Sequence, residues 1–255
     1  MNENFVNLFK KFNDIKKIGW IRSLRKGYTG IGYTFEALIG KSEDSLPTPD
    51  FKNIEIKTMR KYSKRKIHLF STFPDGEYES PMKRVLYKLG YPDKKNKDVR
   101  VFNMDFNAIN YTKIGYYRMG KIEIDYKNKK ILLVARDYLG NDLKINTSWS
   151  FNLLKDRLYM KLKELVIVEA EAKTINNIEF FQYNRISYYK LRDFDSFIDL
   201  IDKGIIDIGF KIGYKKDKDH FGEYRSRGTV FSISMNNLEK LYKKVPLELF
   251  EYQLI

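Results

Sequence analysis

Asp50 follows a proline, and Glu55 and Lys57 stand five and seven positions further on, in the segment PDFKNIEIKT at residues 49–58. As a strand over residues 50–59, this segment sends Glu55 and Lys57 out of one face, while Ile54 and Ile56 leave by the other. The carboxylates of Asp50 and Glu55, with the carbonyl of Ile56, offer hard oxygen ligands of the kind that hold Mg²⁺. The ammonium of Lys57 beside them can orient or deprotonate a water and neutralise a phosphate. Those are the parts that phosphodiester hydrolysis needs. The spacing alone is not specific. Glu123, Asp125 and Lys127 in IEIDYK repeat it, as do Glu169, Glu171 and Lys173 in VEAEAK, and a solvated edge strand blunted by charge carries the same pattern.

Context separates the first segment from these decoys. Glu36 sits among Phe35, Leu38 and Ile39 on a short helix upstream, and a carboxylate at the border of an apolar stripe needs a partner or an ion. Basic residues bracket the site: Arg22, Arg25 and Lys26 before it, then Arg60, Lys61, Lys64, Arg65 and Lys66 after it. A polyanionic substrate suits three carboxylates enclosed by cations. The net charge of +15 points the same way, although Lys, Ile, Asn, Tyr and Phe are all abundant, as an AT-rich genome also produces.

Composition removes other chemistries. With no cysteine, disulfides, thiolate catalysis and cysteine-type zinc sites are excluded, and His68 and His220 alone cannot build a multi-histidine metal site. No run approaches the roughly 18–20 apolar residues that span a bilayer, and the N-terminus lacks the apolar core of a signal peptide, so a cytoplasmic protein is expected. Phe5, Leu8, Phe9, Phe12 and Ile15 recur at helical spacing and predict an amphipathic helix packed on the body.

The elements that must position the site follow from pattern. A basic, glycine-spaced loop at 23–32 leads to a short helix at 33–39, and an acidic loop at 41–49 leads to the strand at 50–59. Further strands are expected at 67–73, 111–119, 121–127, 131–138, 165–173, 178–187, 205–214 and 228–235. Helices are expected from Pro81 to Gly90, over about 150–164 and 194–204, and at the end in NNLEKLYKKV. Strands and helices do not alternate regularly, which indicates an α+β fold, a mixed sheet flanked by helices. The chain is expected to divide into a lobe at 1–180 and a smaller lobe at 181–255.

The segments KGYTGIGYTFEALIG and LPTPDFKNIEIKT resemble the MvaI/BcnI restriction endonuclease family, in the MutH-type branch of the PD-(D/E)xK nucleases. The likeness extends to Gly19–Trp20, HLFSTFP, NTSWSF at 146–151 and RGTVFSISMNNLEKL, in the same order through most of the chain. The resemblance implies a monomeric type II site-specific endonuclease with a catalytic lobe on the minor-groove side of duplex DNA and a recognition lobe in the major groove. Glu36, Asp50, Glu55 and Lys57 match the family's catalytic positions, with Mg²⁺ as cofactor held by Asp50, Glu55 and the Ile56 carbonyl. It implies cleavage of one strand at a time, to a 5′-phosphate and a 3′-hydroxyl, at a CCWGG- or CCSGG-like site. A cognate DNA methyltransferase is the expected genetic partner.

Ser71 matches a position near the central base pair. Arg225 and Arg227 fall where the family places reading residues, to guanine or to phosphate. His220 shares their loop, and Lys26, Arg60 and Lys61 are candidate DNA contacts beside the catalytic segment. Where the relatives carry arginine this chain has Ser232, which leaves room for a different target. A MutH-like strand-specific nickase of DNA repair and a catalytically idle DNA-binding module are the alternative readings.

Overall fold

The computed structural model describes residues 2–41, 48–77 and 80–251. The acidic loop expected at 41–49 lies, apart from its ends, outside them. The chain forms two compact units, and the first is discontinuous: residues 1–65, 158–192 and 239–255. It contains α1 (Glu3–Ile18), β1 (Ile21–Arg22), α2 (Gly30–Leu38), β2 (Ile54–Arg60), β10 (Glu164–Ile175), β11 (Ile178–Leu191), β15 (Tyr242–Val245) and α7 (Glu248–Glu251). The boundary expected near residue 180 therefore falls inside β11. The reason is β-pairing: β11 runs antiparallel to β10 along its length and also carries β1 and β15.

The first unit is one sheet, ordered β1-β11-β10-β2, with β2 parallel to β10 and, among the described residues, unpaired by any other strand along its outer edge. All five apolar residues read as the buried stripe of α1 are buried, and they meet Ile31, Phe35 and Ile39 of the α2 region over one face of the sheet. Ile54 and Ile56 of β2 and Val166 and Val168 of β10 complete that core. Phe5 stacks on Tyr188 with ring centroids 4.1 Å apart, and the Tyr183 hydroxyl donates to the Ile31 carbonyl at 2.8 Å. Asn2 caps α1, accepting from the N–H groups of Asn4 and Phe5.

The second unit comprises residues 66–157 and 193–238. It holds β3 (Ile67–Thr72), α3 (Ser80–Leu89), β4 (Tyr91–Pro92), β5 (Arg100–Phe106), β6 (Thr112–Ile114), β7 (Arg118–Asp125), β8 (Lys130–Asp137), β9 (Thr147–Ser150), α5 (Phe194–Asp202), β12 (Ile206–Tyr214), β13 (Tyr224–Arg225) and β14 (Thr229–Ile233). Two antiparallel sheets result, β3-β14-β12-β5-β4 with β13 on β12, and β6-β7-β8-β9. Phe70, Phe102, Phe106, Trp149, Phe210 and Phe231 make edge-on and stacked ring contacts beneath the first of these. Two elements, α4 (Phe151–Lys161) and α6 (Leu238–Leu241), carry the chain from the second unit into the first. Among the described residues no helix is long and apolar enough to cross a membrane.

Two expectations are corrected. The helix expected over NNLEKLYKKV is only the single turn α6, after a 3₁₀ turn, and YKKV is strand β15. Tyr242 is fully buried and lies opposite Leu191, so a free sheet edge with a buried position overrides the weak helical pattern. The lysine- and asparagine-rich stretch before residue 111 hides β5, whose RVFNMDF has no clean alternation because Val101 and Phe102 are both buried.

Gly228 stands where β14 leaves β3. Its φ is +82°, and an added Cβ would lie 2.5 Å from the Thr72 carbonyl oxygen, which the Thr229 hydroxyl already holds at 3.0 Å. Replacing Gly228 with alanine forces both a left-handed backbone and a backbone clash, and is expected to cost about 1–3 kcal/mol. Urea unfolding of the variant at unchanged m-value measures it, and wild-type stability would refute the close approach.

Candidate active site

A tight turn makes the site. Phe51 and Ile54 exchange backbone hydrogen bonds of 2.9 and 2.8 Å across Lys52 and Asn53, with Lys52 at φ +54°. The turn folds Asp50 back along the outer edge of β2, where its Oδ2 accepts the Ile56 N–H at 3.0 Å. In a strand the N–H and C=O of one residue leave on the same side. Since the Ile56 N–H points away from β10 to Asp50, its carbonyl also faces the open edge, beside that carboxylate.

The turn is anchored. Asn53 donates to Glu164 Oε2 at 2.8 Å and accepts from Asn4 at 2.6 Å, while Asn2 binds the same Glu164 oxygen. The start of α1, the turn and the start of β10 thus share one polar knot.

Glu55 and Lys57 leave β2 on the face opposite Ile54 and Ile56. Glu55 is fully buried, yet its Oε1 pairs with Lys57 Nζ and with Lys161 Nζ at 3.4 Å. Its other oxygen, Oε2, is buried without a hydrogen-bond partner among the described residues. Burial pushes the Glu55 carboxyl above the usual carboxylate range; Asp50 adds to this, and Lys57 and Lys161 oppose it. Asp50 goes the other way. Burial would raise it, but the bond from Lys41 Nζ at 2.6 Å, the charge of Lys57 and the Ile56 N–H together hold it below its ordinary value. Glu36, half-buried on α2, is raised by burial and then by Asp50, against Lys41 and Lys57. Gly32 lets α2 come this close: a Cβ there would lie 3.2 Å from the Thr58 hydroxyl of β2 and 3.7 Å from Glu36 Oε1.

The four residues singled out from sequence are therefore brought into one electrostatic group. Among the described residues no group of three or more His, Asp and Glu side chains could hold an ion alone. The set that fits is two carboxylates, one edge carbonyl and water, which suits a small hard cation that keeps much of its hydration. The unpartnered Glu55 Oε2 is the atom with unused capacity.

The sequence reading missed two residues. Lys41 stands just after the Gly40 stop of α2, and its position was a usable signal. Lys161, in the last turn of α4, lies over a hundred residues from Glu55 and leaves no local trace. The decoys are paired on the surface: Glu123 with Lys121, Glu171 with Lys61 and Glu169 with Arg185.

Lys26 and Arg60 line one groove of the first unit with Arg22, Arg25 and Tyr28. Arg60 is gripped there by Glu179, at 3.0 and 2.6 Å through two nitrogens. Lys61 is exposed and bound to Glu171, outside that groove. In the second unit, Ser71 on β3 faces Val230 of β14, and Arg225 on β13 faces Gly213 of β12. Ser71, Arg225, Arg227 and His220 are all exposed, and His220 pairs with Glu223 at 2.8 Å. Ser232 is nearly buried, between Asp207 and His68.

The model of the MvaI/BcnI restriction endonuclease family matches residues 9–242. Among solved structures, the chain is similar to restriction endonuclease MvaI in complex with its cognate DNA substrate, with 28% identity and a TM-score of 0.86 over 96% of this chain and 98% of that one. It is similar to MvaI in the absence of DNA with 27% identity and a TM-score of 0.61, at the same coverage. No curated relative matches the chain.

The opposite shifts of Asp50 and Glu55 give a paired prediction. The lowered Asp50 contributes stability above its unfolded value and loses it as pH falls through the folded value. The raised Glu55 has the reverse sign: its ionisation costs stability at neutral pH, and that cost is relieved on acidification. At pH 7 in EDTA, Asp50→Asn is expected to lose about 1–3 kcal/mol in urea unfolding, and Glu55→Gln to lose none or gain. A larger loss in Glu55→Gln than in Asp50→Asn would contradict these signs.

Proposed function

The chain belongs to the MvaI/BcnI restriction endonuclease family, and from that premise we propose that it cuts duplex DNA with Mg²⁺ at a short C/G-rich pseudo-palindromic site, one strand at a time. As a member it is a type II site-specific endonuclease that binds DNA. The observation that carries the finer reading is the grouping on edge strand β2: Asp50 on the Ile56 N–H, Glu55 with a buried free oxygen, and Lys57 against Glu55.

Asp50, Glu55 and the Ile56 carbonyl are the residues that would hold the cation. Bound there, Mg²⁺ supplies Lewis acidity toward the phosphate and acidifies a water. Lys57, fixed by Glu55, orients the attacking water and offsets the negative charge that builds on the phosphate oxygens. Glu36 closes the α2 side, where its carboxyl can exchange a proton with water. Water oxygen bonds to phosphorus as the P–O3′ bond breaks, which leaves a 5′-phosphate and a 3′-hydroxyl. Lys41 and Lys161 balance the carboxylate charge.

Lys26, Arg60 and Lys61 serve as backbone contacts in the catalytic lobe, which we equate with the first unit. Ser71, His220, Arg225 and Arg227 lie on the second, the recognition lobe. Since Ser232 replaces an arginine of the relatives, the target need not be CCWGG or CCSGG. One catalytic set per chain agrees with action as a monomer, and a cognate methyltransferase would protect host DNA.

Incubation of the purified protein with phage DNA tests this. Discrete fragments are expected with Mg²⁺ and none with EDTA, and Lys57→Ala is expected to lower cleavage about a hundredfold or more. Full activity in that variant would remove Lys57 from its role. Nicks without double-strand breaks would favour a nickase, and binding without cleavage an idle module.

A further inference from the structure

We propose that the Asp105–Lys211 ion pair, on the open face of the β3-β14-β12-β5 sheet, reads one C·G base pair in the major groove; this rests on the nuclease reading above. An antiparallel sheet can cover a core with one face and leave the other to water. On β12, Ile208, Phe210 and Ile212 enter the aromatic core, so Gly209, Lys211 and Gly213 leave by the other side. Register extends that face: Gly209 lies opposite Asp105 of β5 and Val230 of β14, Val230 lies opposite Ser71, and Gly213 opposite Arg225.

Asp105 and Lys211 are joined at 2.8 Å, with side chains 55% and 51% exposed. Asp105 lies directly over Gly209, where a Cβ would come within 2.5 Å of its Oδ1. A glycine inside a central strand weakens the sheet, and here its absent side chain is what seats the carboxylate. Stability is a poor reason for the arrangement, since exposed ion pairs contribute little. Phosphate contact is a poor reason too, because Asp105 cancels the charge of Lys211 and would repel the backbone.

The base edge is the better match. The pair presents an acceptor and a donor one hydrogen-bond length apart. A C·G pair presents the complement, the cytosine N4 donor beside the guanine O6 acceptor, themselves about 2.9 Å apart. An ionised carboxylate has about four lone-pair sites and an ammonium three hydrogens, so both groups keep capacity while bound to each other. Reversing the base pair sets an acceptor against Asp105. An A·T pair offers N6 and O4 at the same spacing, but replaces guanine N7, a second acceptor for Lys211, with the thymine methyl group.

Cleavage of a randomised duplex library with Mg²⁺, scored position by position, tests this in the full-length protein, Asp105→Ala and Lys211→Met. Both variants are expected to lose about tenfold or more of the discrimination at the same C·G position and to keep the other positions. Where a variant no longer cuts, binding selection from the same library in the Lys57→Ala background gives the same readout. Unchanged preference everywhere, losses at different positions, or uniform weakening across sequences would overturn the proposal. A wild-type protein that selects a site but never cuts would instead overturn the nuclease reading, and the selection would still decide on Asp105.

Discussion

The hydrogen bond from the Ile56 N–H to Asp50 organises the candidate site of the first unit. It forms because the Phe51–Ile54 turn reverses the chain against a strand whose outer edge, among the described residues, no other strand claims. An exposed edge is usually a liability, a row of unpaired donors and acceptors. Here one carboxylate takes up the donor, and the carbonyl of the same residue faces the same edge. The position of that carbonyl follows from strand geometry, while the core under Ile54 and Ile56 fixes the pleat that sends Glu55 and Lys57 to the other face.

Charge at this edge is held at a cost. Glu55 is buried enough to disfavour its ionised form even with Lys57 and Lys161 against it. Asp50, two oxygens engaged, is favoured in its ionised form. On one short segment, one carboxylate is thus held with both oxygens engaged and the other keeps a buried oxygen that has no hydrogen-bond partner among the described residues. The lysines temper the repulsion among Glu36, Asp50 and Glu55, and such balanced strain is typical where activity is favoured over stability.

The second unit solves a different problem. Its aromatic side chains pack one face of a sheet so thoroughly that the opposite face needs no cover, and that face holds small residues beside a few polar ones. Gly209 and Gly213 keep the surface low around Asp105 and Lys211. Cation-rich contacts concentrate instead in the first unit, around Arg22, Arg25, Lys26 and Arg60. A neutral ion pair on one surface and a groove lined by several cations on another suit different parts of a nucleic acid.

Sequence by itself determined the short-range features. The periodicity of α1, the alternation of Ile54 and Ile56, the Gly40 and Gly204 helix stops and the grouping of Asp50, Glu55 and Lys57 all depend on residues within a few positions of one another, where backbone geometry dictates neighbours; Glu36 was read from its own apolar surroundings on the helix upstream. Sequence left β5 and β15 unseen, since both are strands by virtue of the partners they meet. Lys161 came to Glu55, and Asp105 to Gly209, only through the fold, because sheet register joins segments about a hundred residues apart and nothing local encodes it. The discontinuous units have the same origin: β11 belongs with α1 because a long antiparallel pairing and a shared core outweigh its place in the chain.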